Sequence, residues 1–432
     1  FLLEQQNMKY GQGAQWNYPG SIYESMAIFP SRSQDVRSAY AEFTVPVFGK
    51  ANARAGLRAL DLQLAVRRDS YDSVSGNFAS WYLASGAPRP DFEMAENSAA
   101  ESTYLVGLKY EPFPGLMFRA SRGTGFVPPQ VTQLGAATSY PGLIPWFPDP
   151  KRGNTVQSQP ITYLTGSNPD LTPEYSRTTA FGVVLQPKAL PGFRLSLDYT
   201  QLEKVDNISS LSAVELLEFE ELFPDRMRRG ERLPSDPAGW AGPVEYIDTS
   251  LANAASAKYE NLDLQIKYGF ELANGAYLEL WGNSTWFLKA ESQALPTLPS
   301  LNLKGISASY GSSIPLNFRG FFGVNVDKGN WGLGWSVRHY SSYLVANPEL
   351  DSSAVLIDAQ GNGGRVPRQL YHDLSARWRP SGVAGANDGL LNSFLANVEV
   401  SGGIRNVFDK RPPVDMSSDF FFYSYLGDVR MR

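Results

Sequence analysis

Chemistry in this chain would have to begin at its carboxylates, histidines and glycine runs. Glu218, Glu220 and Glu221 crowd into four positions, and Asp61 and Asp69 share one alternating run. Carboxylates grouped in this way are what glycoside hydrolysis uses as acid and base. The first group falls in a polar segment of helical spacing and the second on the polar side of a strand-like run, so both read as solvated faces. His339 and His372 are the two histidines, each alone among Arg, Tyr and Asp, and there is no Cys. Thiolate metal sites and disulfides are therefore excluded, and no ligand cluster with metal-binding spacing appears. Gly123-Thr124-Gly125 and Gly361-Asn362-Gly363-Gly364 do not lead from a buried strand into a helix, as a phosphate loop must. A Gly-x-Ser-x-Gly elbow is absent. The reading predicts no catalytic residue, no metal and no cofactor.

The elements that carry these residues are strands. From Arg194 to Thr200, Leu195, Leu197 and Tyr199 fall on one side and Arg194, Ser196, Asp198 and Thr200 on the other, the period of 2 that marks a strand with one apolar face. Phe181, Val183 and Leu185 alternate likewise with Gly182 and Gln186, and the turn-rich segment Pro187 to Gly192 closes a hairpin. Further runs lie at Tyr40 to Val47, Leu60 to Tyr71, Thr103 to Tyr110 and Leu116 to Arg122. Later ones are centred on Leu262 to Tyr268, Tyr277 to Lys289, Ile314 to Val326, Trp331 to Tyr340, Asp373 to Arg379 and Ala396 to Asn406. Strands are read as resuming near Val244, and Tyr423 to Met431 as a closing strand. Thirteen strands result. Ser212 to Arg229 has helical spacing. Short turns alternate with long connections, among them Gly123 to Ser167 and Ser209 to Gly242.

Composition narrows the class. The 432 residues include 24 Phe, 22 Tyr and 9 Trp, with a net charge of -5. That balance lacks the basic patch of a nucleic-acid binder. No run of apolar residues is long enough for a transmembrane helix, so any membrane crossing is by strands. Aromatics at 13% suit girdles at two membrane interfaces, although a soluble β-sandwich or propeller that binds carbohydrate would match them too.

Four segments, in order, resemble TonB-dependent outer-membrane receptors. Asn168-Pro169-Asp170-Leu171-Thr172-Pro173-Glu174-Tyr175-Ser176, followed by the strand from Gly192 to Ile208, is similar to the family's Asn-Pro-x-Leu-x-Pro-Glu segment and the strand after it. Phe118 to Pro129 resembles an Arg-Ala-Ser-x-Gly-x-Gly-Phe-x-x-Pro stretch. Gly403 to Pro413, with Asn406, Pro412 and Pro413, resembles a late Asn-x-Phe-Asp-x-x-Pro-Pro element. Tyr40 to Val47 is similar to an early Tyr-x-Glu-x-x-x-Pro strand.

The resemblance implies an all-β fold: the C-terminal part of a 22-stranded antiparallel transmembrane barrel with short periplasmic turns and long extracellular loops. Residues 1–37 are then expected to be an extracellular loop segment and 38–432 the strands. The plug has no counterpart before Ser38, and both ends read as incomplete. Arg67, Arg119, Asp198, Asp263, Lys267, Arg338, Asp373, Arg377 and Glu399 lie opposite the apolar faces. An Arg or Lys facing lipid at mid-depth costs about 2 to 4 kcal/mol, so these residues are expected to face the lumen, pairing with one another or touching a plug. Loop aromatics Tyr140, Trp146, Phe147 and Trp240 are the candidate ligand contacts, since aromatic faces take sugars and flat chelates alike. Asn168, Pro169, Pro173, Glu174, Asn406, Pro412 and Pro413 are expected to shape strand ends. The implied function is active uptake of a scarce nutrient such as a siderophore, cobalamin or oligosaccharide. The implied partners are outer-membrane lipid, a TonB-type coupling protein acting on the plug and the ligand itself, with no nucleic acid. A passive porin and a secreted carbohydrate-binding protein or glycosidase remain as alternatives.

Overall fold

The computed structural model describes residues 1–16, 25–77, 79–82, 91–307, 314–350, 353–379, 398–417, 423–424 and 426–427. Its main sheet is one antiparallel meander in chain order. Five strands open it: β1 (Leu2–Tyr10), β2 (Arg32–Phe48), β3 (Ala59–Gly76), β4 (Met94–Phe113) and β5 (Leu116–Val127). The middle is β6 (Glu174–Leu185), β7 (Phe193–Ser210), β8 (Leu251–Glu271) and β9 (Tyr277–Gln293). It ends with β10 (Phe318–Lys328), β11 (Trp331–Tyr340), β12 (Gln369–Trp378) and β13 (Val400–Ile404). The short strand Leu301–Asn302 pairs with the far end of β9.

Connections 49–58, 114–115, 186–192, 272–276 and 329–330 make one rim tight. The other rim carries the elaborate segments 11–31, 77–93, 128–173, 211–250, 294–317 and 341–368. Turn chemistry sets the tight rim. In the turn after β8, Leu272 donates to the Ala276 carbonyl at 2.7 Å and Gly275 takes φ +74°, a left-handed conformation that costs glycine little.

Cross-strand partners share a face of the sheet, so the register sorts the side chains. Asp61, Lys109, Arg119, Gly182, Asp198, Asp263, Thr285 and Arg319 stand in one row across eight successive strands. The opposite face carries Phe43, Leu64, Val106, Phe118, Phe181 and Leu333, all exposed, with Phe43 at 63% and Leu333 at 60%. Lying flat, β2 and β10 would be about 38 Å apart at about 4.8 Å per strand. Instead Thr44 of β2 and Phe321 of β10 line one cavity of about 1110 Å³. The sheet therefore curls with its polar face inside. Apolar area of that extent on the outside is rare in water-soluble monomers and suits lipid. Aromatics gather toward both ends of the outer face, as Tyr110 with Phe118 and Trp331 with Trp378 near the tight rim, and as Trp286 with Phe318 toward the other.

Several expectations are corrected. Residues 1–37 are not simply loop: Leu2–Tyr10 is a strand in register with Tyr40 to Arg32 of β2. Its residues do not alternate because both of its faces are largely solvated. β2, β3 and β4 likewise extend beyond their alternating parts at the elaborate rim. Val244–Asp248 belongs not to the wall but to a separate sheet, where Val244 and Ile247 are buried, and the wall resumes at Leu251. The helix expected in Ser212 to Arg229 is a short one, Ala213–Glu218, capped reciprocally by Ser212 and Glu215. The strand expected from Ala396 is observed as Val400–Ile404. The closing strand from Tyr423 lies mostly outside the described residues, and Tyr423 itself makes a single bridge to Val414.

Candidate functional site

The concave face is tied by ion pairs that run across strands. Arg119 grips Asp198 through Nε at 2.8 Å and Nη2 at 2.6 Å although β6 lies between their strands. Their common register neighbour is Gly182, where a Cβ would overlap Asp198 Oδ1. The device repeats. Arg377 on β12 reaches Asp327 on β10 over Gly332 of β11, where a Cβ would crowd both side chains. Lys267 meets Glu279 at 2.6 Å. Arg338 meets Asp373 at 3.1 Å and lies over the Tyr371 ring. Arg67 pairs with Asp69 at 2.8 Å and bonds Ser38. Asp263, directly opposite Asp198, accepts from Thr285 and Asn261, both at 2.5 Å. Glu399 meets Arg379 at 2.5 Å beside β13 and lines a cavity of about 640 Å³ with Arg377 and Asp327. Arg319 lines the larger cavity without a salt bridge among the described residues.

The Asn168 to Glu174 segment knots four strands together. Asn168 donates to the Leu251 carbonyl at the start of β8, and Asn97 of β4 donates to the carbonyls of Pro169 and Leu171. Leu171 and Pro173 are buried. Glu174 bonds Lys204 and accepts from the Ile208 N–H, both at 2.9 Å, spanning the bulge in β7 where Asp206 takes φ +56°. Asn253 of β8 holds the same bulge, donating to the carbonyls of Thr172 at 2.7 Å and Asp206 at 2.9 Å.

The later motif works similarly. Asn406, at φ +49°, exchanges hydrogen bonds with the Lys410 backbone and donates its N–H to Asp373 at 2.7 Å. Asp373 thus anchors both Arg338 and this turn. Pro412 is buried against the position of Gly427, and Pro413 accepts from the Ser424 N–H at 3.0 Å. Close by, the buried Tyr343 hydroxyl donates to Asp415 and contacts Ser424. Burial first, then the Asp415 carboxylate, pushes this phenol well above its ordinary range.

The two longest connections fold together. Thr138–Leu143, Ile161–Thr165, Val244–Asp248 and Met227–Arg229 form a four-stranded sheet drawn from both. Its core holds Ile161, Leu216, Leu217, Val244 and Ile247. Arg229 pairs with Asp149 at 2.7 Å and Glu220 at 2.8 Å, while Arg152 and Asp236 form a buried pair at 2.7 Å. The Arg152 hydrogen bonds hold the Asp236 carboxyl below its ordinary range, and Glu220 raises the Lys151 ammonium above its own.

The loop aromatics part company here. Trp146 is 65% exposed, with its ring 5.7 Å from that of Tyr163, and Tyr140 is exposed on the adjoining edge strand. Phe147 requires a correction: at 6% exposure it belongs to the loop core and offers no free ring face. Trp240 is half-buried and stacks with the Arg152 guanidinium at 5.1 Å.

The residues first weighed for catalysis are engaged elsewhere. Asp61 meets Lys109 at 3.4 Å, Asp69 is held by Arg67, and Glu220 joins the loop ion network. His372 accepts from Trp335 Nε1 at 3.3 Å on the outer face, and His339 packs beside Phe318. Among the described residues no three metal-ligating side chains converge. Sequence reasoning missed Gly332, Asp327, Glu279, Asn253 and the Arg152–Asp236 pair. The signal available for Gly332 was a glycine at an inward position of an alternating strand; for the others, only pairing distant in sequence brings the partners together.

The sequence model of the family described as TonB dependent receptor-like, beta-barrel matches residues 3–407. No curated protein matches the chain. Similar solved structures include a double mutant of the Serratia marcescens hemophore receptor HasR in complex with its hemophore HasA and heme. That match has 14% identity and a TM-score of 0.45, covering 94% of this chain and 56% of that one. The ferric yersiniabactin uptake receptor FyuA of Yersinia pestis matches at 12% identity and a TM-score of 0.49, covering 95% and 46%. A mutant ferric enterobactin receptor PfeA of Pseudomonas aeruginosa with enterobactin matches at 12% and 0.48, covering 96% and 58%. The chain spans about half the length of these structures. The family match takes in the whole meander, and the chain belongs to the TonB-dependent receptor β-barrel family of the bacterial outer membrane.

Proposed function

We propose that the protein is the barrel portion of an active outer-membrane transporter that takes up a scarce nutrient, of the size of a siderophore, cobalamin or oligosaccharide. The observation that carries this reading is a wall apolar outside and polar inside, with ion pairs such as Asp61–Lys109 and Arg119–Asp198 around a cavity of about 1110 Å³. Paired charges leave a hydrated surface along which a polar solute passes without being trapped by a bare ion. The inner face is the lumen in this reading. Trp146 and Tyr140 are the ligand contacts at the extracellular rim, and Arg319, without a salt bridge among the described residues, is an inner cation offered to a ligand or a plug. Energy comes from a TonB-type coupling protein pulling on a plug, and no covalent chemistry takes place.

The test uses the full-length protein in outer membranes of cells given labelled ferric siderophores, cobalamin and oligosaccharides in turn. Uptake of one of them is expected, and it should collapse when a protonophore dissipates the energy that coupling draws on. Uptake indifferent to the protonophore would make the protein a passive porin; absence of uptake for the whole panel would overturn the proposed substrate range.

A further inference from the structure

The outer face carries charge where lipid tails give way to headgroups. On β3 it reads Leu62, Leu64, Val66 and then Arg68; on β2, Phe43, Ala41, Ala39 and then Arg37. On β5, Phe118 and Ala120 precede Arg122, and on β6, Val183, Phe181 and Thr179 precede Arg177. The register confirms the side: Arg122 stands opposite Val106, and Val106 opposite Leu64. From Leu60 to Arg68 is about 27 Å along the strand, or about 20 Å of height at the usual barrel tilt. That places the arginines near the outer edge of an apolar band about 25 Å tall.

All four arginines are exposed, and none is in a salt bridge among the described residues. Arg68 donates only to the Ser102 hydroxyl, at 3.0 Å. The neighbouring strands differ. There the first outward charges are neutralised locally, with Lys258 meeting Glu203 at 3.0 Å and Lys289 meeting Glu291 at 2.9 Å. Arg37, Arg68 and Arg122 have no carboxylate opposite them in the register, whereas Arg177 faces Glu203, the carboxylate that also takes Lys258. Two of the four arginines also line a hollow of about 490 Å³, in which Arg37 and Arg68 stand above Leu3 and Ala39, beside Gln5 and Ser70. Glu4 also lines it, but its register partner Ser38 belongs to the concave side. The basic strip is bounded on the loop side by Asp35 and Asp72, which face each other across β2 and β3.

From this placement we infer that Arg37, Arg68, Arg122 and Arg177 bind the phosphate groups of an anionic lipid in the outer leaflet. Guanidinium forks match phosphate oxygens in charge and geometry, and basic residues next to an apolar span are what anionic headgroups select. The apolar rungs beneath each arginine receive the acyl chains. The inference depends on membrane placement and not on transport, so failure of the uptake experiment leaves it intact.

The test is lipid titration of the detergent-purified full-length protein, followed by native mass spectrometry, with bisphosphorylated lipid A as probe. The quadruple variant R37Q, R68Q, R122Q, R177Q should bind it about tenfold or more weakly, while lipid A stripped of phosphate should bind both proteins equally and weakly. The corresponding Arg→Lys variant should recover part of the loss. Should the quadruple variant lack heat-modifiable mobility, the pair R122Q, R177Q serves in its place, with an intermediate loss expected. Equal binding by wild type and variant, or tight binding of the phosphate-free lipid, would overturn the proposal. Displacement of the lipid by millimolar inorganic phosphate would reassign the site to a free anion and overturn its lipid source.

Discussion

Arg119 and Asp198 form a two-pronged ion pair across a strand that neither belongs to, because the residue between them on β6 is Gly182. Arg377 and Asp327 do the same over Gly332. In a sheet, direct partners on adjacent strands are neighbours, whereas residues two strands apart are about 10 Å apart. A long arginine closes that gap only where the intervening side chain is missing. The first prediction concerns this arrangement. Gly182→Ala should leave the barrel folded but separate Arg119 from Asp198, with a stability cost of about 1 kcal/mol or less, since the arginine is half exposed. A structure of the variant would check it, and an unbroken Arg119–Asp198 contact would refute the role given to Gly182.

Glu174 gives a larger expected effect. Its carboxylate serves both Lys204 and the Ile208 N–H at the β7 bulge. Glu174→Ala leaves a half-buried donor without its acceptor, which costs about 1 to 3 kcal/mol. The temperature at which the compact barrel band converts to the slow form on a gel should fall. A Glu174→Ala barrel as heat-resistant as the parent would show that the Asn168 to Glu174 knot is not structural.

The loop subdomain should respond to pH at both ends of the scale. Asp236 has a lowered pKa, so its contribution is complete above the unfolded value of about 4 and is lost as pH falls through the folded value. Lys151 has a raised pKa, so its contribution is complete below its unfolded value of about 10.4 and is lost as pH rises through the folded one. Protection against hydrogen exchange across 138–165 and 227–248, taken relative to the intrinsic amide rate at each pH, should therefore be greatest between about pH 4 and about pH 10 and fall outside that window. Loop protection that stays constant into acid would argue against the Arg152–Asp236 pair as a clasp.

Trp146 and Phe147 are adjacent and should behave oppositely. Trp146→Ala removes an exposed ring and is expected to weaken ligand binding with the loop fold intact. Phe147→Ala empties a place in the loop core at a cost of about 3 to 5 kcal/mol and should speed hydrogen exchange throughout the subdomain. Unchanged ligand affinity in the Trp146 variant would remove that residue from the proposed site.

The sequence by itself determined the all-β class, the hairpins and which residues share the polar side of each alternating strand, because a period of 2 is a local property and one buried or lipid-facing side enforces it. The long and short connections were visible for the same reason, as turn residues such as Asn274 and Gly275 act over a few positions. Only the tertiary structure decided that Leu2–Tyr10 joins the wall, since a strand solvated on both faces has no alternation to read. It likewise decided that two loops distant in sequence share one sheet, which buries Phe147 and takes Val244 out of the wall. The pairing of Arg119 with Asp198 was also beyond sequence reading: each charge was visible, but the contact depends on three strands in register and on the space left open by a glycine.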